Sequence, residues 1–206
     1  KMSKSLGNFF TVREAAEAYG YPTIRMFMLM SHYRSPLNYS GEILLQAKAA
    51  RERVETAMEN LRFLTKNAPE GELNGEQKAF VDSLPRYRER FVEAMEDDFN
   101  TADAIAVIFE LVREANAATA AEKQPVRAVA QAALDLLEEL NGVVGIVYGN
   151  EDDDADLTAK VKALIEARAQ AKKEKNYAEA DRIRDELKDM GIAIMDTKQG
   201  VQWKKI

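Results

Sequence analysis

Two lysines open the chain in Lys1-Met2-Ser3-Lys4-Ser5, with Leu6-Gly7-Asn8 behind them. Two ammonium groups on a short loop, with hydroxyls between them, suit a polyphosphate. A compact point charge can follow phosphate oxygens as charge shifts in a transition state. A loop also lets such charges close over a substrate after it binds. Taken alone, the pentamer also fits an ordinary basic terminus; the Leu-Gly-Asn continuation separates the two readings. Other chemistries are excluded by what is missing. There is no Cys, hence no disulfide and no thiolate metal site. The one imidazole, His32, leaves no His-rich metal site and no spare partner for a Ser-His-Asp triad.

Charge is distributed unevenly. The net charge is −6 over 206 residues, which taken whole argues against nucleic acid. By segment, residues 1–66 hold 10 Lys/Arg and 6 Asp/Glu, residues 67–157 hold 7 and 21, and residues 158–206 hold 12 and 8. Two mildly basic ends flank an acidic middle, an asymmetry that fits a polyanionic partner and fits solvated helix faces equally well. Apolar residues make up 46% and charged residues 31%, as in a helical protein with packed cores. No uninterrupted apolar run approaches the roughly 20 residues of a membrane span, and no signal-type apolar segment follows the basic start. A soluble, cytoplasmic chain is expected.

The elements that must position these groups are mostly helical. Thr11 with Glu14 fits a capping box, and Tyr21-Pro22 resists continuation past Gly20. Pro22 opens a second helix through Ile24–Met30, apolar nearly all round and so expected to be buried. Ser35–Ser40 reads as an extended connector. Ser40 caps a long helix with a stripe at Ile43, Ala47, Ala50, Val54, Met58, Leu61 and Leu64. After a loop from Asn67 to Gly75 comes Phe80, Leu84, Tyr87, Phe91 and Met95, with Pro85 expected to kink that helix or reset its start. Glu96–Asn100 is a charged turn, Asn100 with Asp103 resembles a cap, and Ala102, Ile105, Phe109 and Val112 carry a third stripe. Pro125 opens a fourth, through Val129, Ala133, Leu137, Leu140 and Val144. Four amphipathic helices with short connections predict an antiparallel bundle over residues 41–148. The acidic run at 149–157 reads as a linker. Two short helices follow, 157–174 and 177–190, stopped by Gly191, and then a β-hairpin in which Ile192–Asp196 and Val201–Lys204 alternate with period two.

Several strings together resemble a known family. Lys-Met-Ser-Lys-Ser is the second signature of class I aminoacyl-tRNA synthetases. Gly7–Arg13, His32-Tyr33-Arg34-Ser35-Pro36-Leu37-Asn38-Tyr39-Ser40, Met95-Glu96-Asp97-Asp98-Phe99-Asn100-Thr101 and Asn176–Asp185 look like bacterial cysteinyl-tRNA synthetase. The resemblance covers essentially the whole chain and implies its C-terminal portion, starting at the mobile ATP loop. It implies a mainly α fold: an ATP loop and stem-contact segment at 1–40, a tRNA-contacting helical bundle at 41–148, an acidic linker at 149–157, and a small α/β anticodon-binding minidomain at 158–206. In that family, ATP activates cysteine as cysteinyl-adenylate, and the 3′ end of tRNA(Cys) then attacks it. Zinc holds the substrate thiolate on Cys, His and Glu, and a Rossmann domain carries a His-Ile-Gly-His string. Neither ligand set nor string is present here, so these residues alone are expected to form no adenylate.

The resemblance also assigns residues. Lys4 falls on the lysine that contacts the ATP phosphates, with Lys1 in the same field; Met2 and Ser3 meet the adenine side through backbone, and Ser5 braces the loop. His32 is expected to pack as a bystander. Arg51, Arg53 and Arg62 are phosphate contacts or solvated surface. In the minidomain, Lys172, Tyr177, Asp181 and Asp196 would approach the anticodon bases, and Trp203 is either a lid on the minidomain core or a stacking surface. Asp181 has a second reading, an ion pair with Arg182 or Arg184 on its own helix. Where many members carry Arg and Trp, this chain has Lys172 and Tyr177, and a lysine cannot make a planar bidentate contact. Members are usually monomeric. Two further readings stand beside this one: the related cysteine ligase of mycothiol synthesis, which needs no anticodon reader, and a non-enzymatic RNA-binding helical module.

Overall fold

Thr11 begins the first described helix as the sequence rules require. The computed structural model describes residues 11–148, 155–197 and 200–205, in two compact units, Lys1–Tyr148 and Gly149–Ile206. Helix α1 (Val12–Tyr19) carries the full Thr11/Glu14 capping box and ends at Gly20, whose φ of 81° suits a residue without a Cβ. Pro22 then sits in the first turn of α2 (Tyr21–Leu29). The expectation that this helix is buried all round is corrected. Thr23, Met26 and Phe27 face inward, whereas Met28 is 56% exposed and Met30, just past the helix, is also exposed. Helix α2 packs mainly on α3 and to a lesser extent on α1 and α5, and among the described residues its Met28 side stays uncovered.

Helix α3 (Gly41–Asn67) is capped by the Ser40 hydroxyl and buries Leu44, Ala47, Val54, Ala57, Met58 and Leu61. Ile43, Ala50 and Leu64 pack at the margin of the same core. Helix α4 (Gly75–Glu96) starts with an Asn74/Gln77 capping box and runs unbroken through Pro85. The expected reset does not occur: Phe80 and Leu84 before the proline and Phe91 after it are all buried on one face. That burial outweighs the backbone hydrogen bond that proline cannot donate.

Helix α5 (Thr101–Ala118) has the Asn100 cap on the amide of Asp103. Helix α6 spans Arg127–Val144, so it begins two residues after Pro125 instead of at it. The Arg127 amide donates to the Pro69 carbonyl at 2.9 Å, which satisfies one of the free groups at the helix start. At the other end Gly145 adopts the left-handed conformation, and Arg25 Nε donates to the Val144 carbonyl at 2.7 Å. The Asn141 side chain accepts from the amides of Ile146 and Val147 and donates back to the Val147 carbonyl. Helix α3 packs on α6 and α5, and α4 packs on α5 and α6, around a core that includes Leu111, Leu137 and Leu140.

The second unit is mixed α/β, as the period-two alternation at 192–204 requires. Helices α7 (Ala155–Lys173) and α8 (Tyr177–Asp189, capped by Asn176) pack on each other and support an antiparallel hairpin, β1 (Ile192–Thr197) and β2 (Gly200–Lys205). Its register pairs Ile194 with Trp203 and Asp196 with Val201. The core is small: Val161, Ile183, Leu187 and Ile192 are buried, with Leu164, Ile165, Ile194 and Trp203 against them. No helix among the described residues is long and apolar enough to cross a membrane.

Candidate functional site

On α7 the inner stripe runs Val161, Ile165, Arg168, Lys172, in the steps of three and four that keep one helical face. The first two members are apolar and pack into the small core. The last two are cations that leave it. On β1 the residues two apart share a face, and Ile192, Ile194 and Asp196 follow the same course from buried to half-exposed. The two series therefore end together. Arg168 Nη1 and Nη2 donate to Asp196 Oδ1 and Oδ2 at 2.8 and 3.0 Å, a planar two-point contact. Lys172 Nζ donates to Asp196 Oδ2 at 2.8 Å.

Burial differs among the three. The Arg168 side chain is 9% exposed, while that of Asp196 is 51% exposed and that of Lys172 is similarly open. The Arg168 guanidinium, and then the Lys172 ammonium, hold the Asp196 carboxyl well below the usual carboxylate range. The same contact raises the affinity of Arg168 for its own proton. The arrangement is a carboxylate whose charged form is favoured, fixed from beneath by a buried fork and open on its outer side. Such a group can accept a hydrogen bond from an exocyclic amine of a base.

Of the residues predicted for this role, Lys172 and Asp196 are thus brought together. Tyr177, the first residue of α8, is 63% exposed. Asp181 lies 3.4 Å from Arg184 on its own helix, so of the two helix partners considered for it Arg184 is the one it meets. Arg182 is engaged by Glu179 and Glu186 instead. Trp203 is half-buried on β2, opposite Ile194 and packed against the small core. Arg168 was not among the predicted residues. Its spacing from Lys172 and its place at the end of an apolar stripe were the available signal; its partner is 28 residues away and invisible locally.

In the first unit, two of the motifs that carried the resemblance meet. Asp98 Oδ1 accepts from the Tyr33 hydroxyl at 2.7 Å and from Arg34 Nη2 at 3.1 Å, and Arg34 Nε lies 2.9 Å from its Oδ2. The His32 ring stacks on Tyr33 at 4.9 Å and brings Nε2 to 3.8 Å from the same carboxylate. His32 thus belongs to this cluster. The Asp98 side is unusual in its backbone: Asp98 and Phe99 have φ of 56° and 54°, the left-handed region that costs residues with a Cβ roughly 1–2 kcal/mol each. Phe99 is nevertheless exposed, and both residues line a shallow apolar cleft with Phe91, Met95 and Val143.

The candidate phosphate contacts on the bundle are already engaged within it. Arg51 pairs with Glu55 at 3.0 Å, Arg62 meets Glu138 with Nε and Nη2, and Arg53 lies over the Phe109 ring at 5.3 Å. The expected ATP-loop residues Lys1, Met2, Ser3, Lys4 and Ser5 lie outside the described residues. Zinc does not fit the residues present: the chain has no Cys and a single His, and no described group of acidic or His side chains could hold a metal.

Three family models match the chain. Residues 1–49 match the class I (C) catalytic domain of tRNA synthetases, residues 90–148 the DALR domain, and residues 154–203 the anticodon-binding domain of cysteinyl-tRNA ligase. Over 205 residues, 100% of this chain, the sequence is 46% identical to a cysteine–tRNA ligase of Symbiobacterium thermophilum. The chain spans 43% of that relative's length.

Proposed function

We propose that this chain, matched along its length to cysteine–tRNA ligase, works as the ATP-loop and tRNA-binding part of such an enzyme. In the activity so proposed, the cysteine carboxylate attacks the α-phosphorus of ATP and pyrophosphate leaves. A ribose hydroxyl at the 3′ end of tRNA(Cys) then attacks the adenylate carbonyl and AMP leaves. Lys4, with Lys1 nearby, neutralises charge on the phosphates, while Met2, Ser3 and Ser5 support the nucleotide and the loop. The match over residues 1–49 supports that assignment. Residues 1–40 would join the catalytic part to the acceptor stem, residues 41–148 would lie along the tRNA, and residues 149–157 would link them to the anticodon reader at 158–206.

The observation that carries the reading is the Arg168–Asp196–Lys172 cluster, with Arg168 buried and Asp196 and Lys172 half-exposed, in the segment that matches an anticodon-binding domain. Lys172 supplies phosphate-seeking charge, Tyr177 an exposed ring for stacking, and Asp181 and Asp196 acceptors for base donors. An anticodon reader is of no use to the amino-sugar ligase of mycothiol synthesis, which favours the tRNA enzyme. The 206 residues alone contain no Cys and no second His, and we expect no adenylate from them. The enzyme so constituted would act as a monomer in the cytoplasm, where tRNA is charged.

The test is direct. The chain should bind a tRNA(Cys) transcript more tightly than an unrelated tRNA at the same salt, while catalysing no ATP–pyrophosphate exchange. Equal affinity for the two RNAs would overturn the binding role, and exchange by the isolated chain would overturn the division of labour.

A further inference from the structure

We infer that Arg168 is a positioning residue for anticodon reading: its buried fork turns Asp196 into a single-site acceptor that selects an amino-bearing base edge over the carbonyl edge of uracil. This rests on the reading of Asp196 as a base contact proposed above.

The argument is an inventory of lone pairs. An ionised carboxylate offers two acceptor positions on each oxygen. At Asp196, Oδ2 takes Arg168 Nη2 and Lys172 Nζ, so it is filled. Among the described residues Oδ1 takes Arg168 Nη1 alone, which leaves it one position. The two-point contact fixes the plane of the carboxylate, and therefore fixes where that open position lies. A cytosine, adenine or guanine amine can donate there. The O4 of uracil cannot, because it would set oxygen against an ionised oxygen; uracil's one donor on that edge, the ring N3–H, lies inside the position of the amine, so an acceptor whose place is fixed for the amine does not meet it.

The placement of Arg168 argues that orientation is its purpose. An apolar residue there would simply extend the Val161–Ile165 stripe into the core. The guanidinium instead buries its Nε–H with no hydrogen-bond partner among the described residues, which costs desolvation without return. Lys172 alone could balance the charge of Asp196, but a rotatable ammonium cannot fix its plane. The planar fork that position 172 lacks in this chain is thus present four residues earlier, on the same helical face.

The experiment uses the full chain and anticodon stem-loop RNAs: one carrying GCA, and three in which uracil replaces each anticodon base in turn. Binding is read by anisotropy. The wild-type chain should prefer the GCA hairpin over at least one uracil hairpin by on the order of tenfold. Arg168→Lys, which keeps the charge and removes the fork, should bring that ratio close to one through weaker binding of the GCA hairpin. Lys172→Gln, whose amide can still donate to Oδ2, should weaken all four hairpins alike and keep the ratio. If Arg168→Lys keeps the ratio while Asp196→Asn loses it, the positioning role fails and the base contact stands. If Asp196→Asn keeps the ratio, both fail. Should Arg168→Lys unfold, shown by a shift in Trp203 emission, the wild-type chain decides by NMR. The Arg168 guanidinium resonances should stay protected on binding the GCA hairpin, and their loss would overturn the inference.

Discussion

Leu187→Ala is the sharpest perturbation of the unit that carries the proposed base reader. Leu187 is 0% exposed and is one of four buried residues in that core, with Val161, Ile183 and Ile192. Truncating a fully buried leucine costs about 3–5 kcal/mol, the upper part applying where neighbours cannot collapse into the space. Here the neighbours are two helices and a two-stranded hairpin, so relaxation is limited. A folded unit of this length has a total stability of roughly 3–8 kcal/mol. The loss is comparable with the whole, and the variant unit should be largely unfolded or close to its midpoint at room temperature. Trp203 is the chain's one tryptophan and packs against this core, so its emission reports the unit selectively. Urea titration should show the Trp203 transition displaced to low urea or lost in Leu187→Ala. The far-ultraviolet signal of helices α1–α6 should persist. A Trp203 transition moved by less than about 1 kcal/mol would refute the core assignment and the cavity reasoning together.

Further outcomes follow from the same structure. Asp98→Ala should destabilise the first unit by about 1 kcal/mol, because half-exposed charged contacts are worth little each. A double-mutant cycle with Tyr33→Phe should show positive coupling, and strict additivity would deny the 2.7 Å contact any energetic role. Pro85→Ala should stabilise the chain by about 1–3 kcal/mol in thermal melts, since it restores a hydrogen bond inside α4; destabilisation would mean that the ring packs usefully. In acid, Asp196 binds its proton less readily folded than unfolded. The unfolded chain therefore takes up the proton first, and stability of the second unit should fall as pH drops below about 4. Asp196→Asn should flatten part of that fall in Trp203-monitored melts. Glu179, lowered by Arg182, keeps some of the slope.

Local rules and distant partners divide what could be read from the chain. The Thr11/Glu14 box, the Ser40 and Asn100 caps and the Ala47–Leu61 stripe depend on residues three or four apart, and the structure has them where those spacings put them. The hairpin's alternation was equally legible. Burial of α2 was not, since an apolar composition does not say how many neighbours exist to cover it; among the described residues Met28 stays exposed. Pro85 does not reset the helix, because the burial of Phe80, Leu84 and Phe91, which holds α4 together, is set by α5 and α6. The site was half visible. Family resemblance supplied Lys172 and Asp196, but their contact joins α7 to a strand 24 residues on. Arg168 has no local partner to announce it, and neither does the meeting of Tyr33 and Arg34 with Asp98 across 65 and 64 residues.

The claim on which the functional account rests is that this chain recognises an anticodon. The most direct measurement is the affinity of the 206-residue chain for a tRNA(Cys) transcript bearing GCA against the same transcript with all three anticodon bases replaced, at physiological salt. The account predicts binding at least about tenfold tighter to the GCA transcript, a difference that survives competition with bulk RNA. Equal affinity for the two transcripts would contradict it.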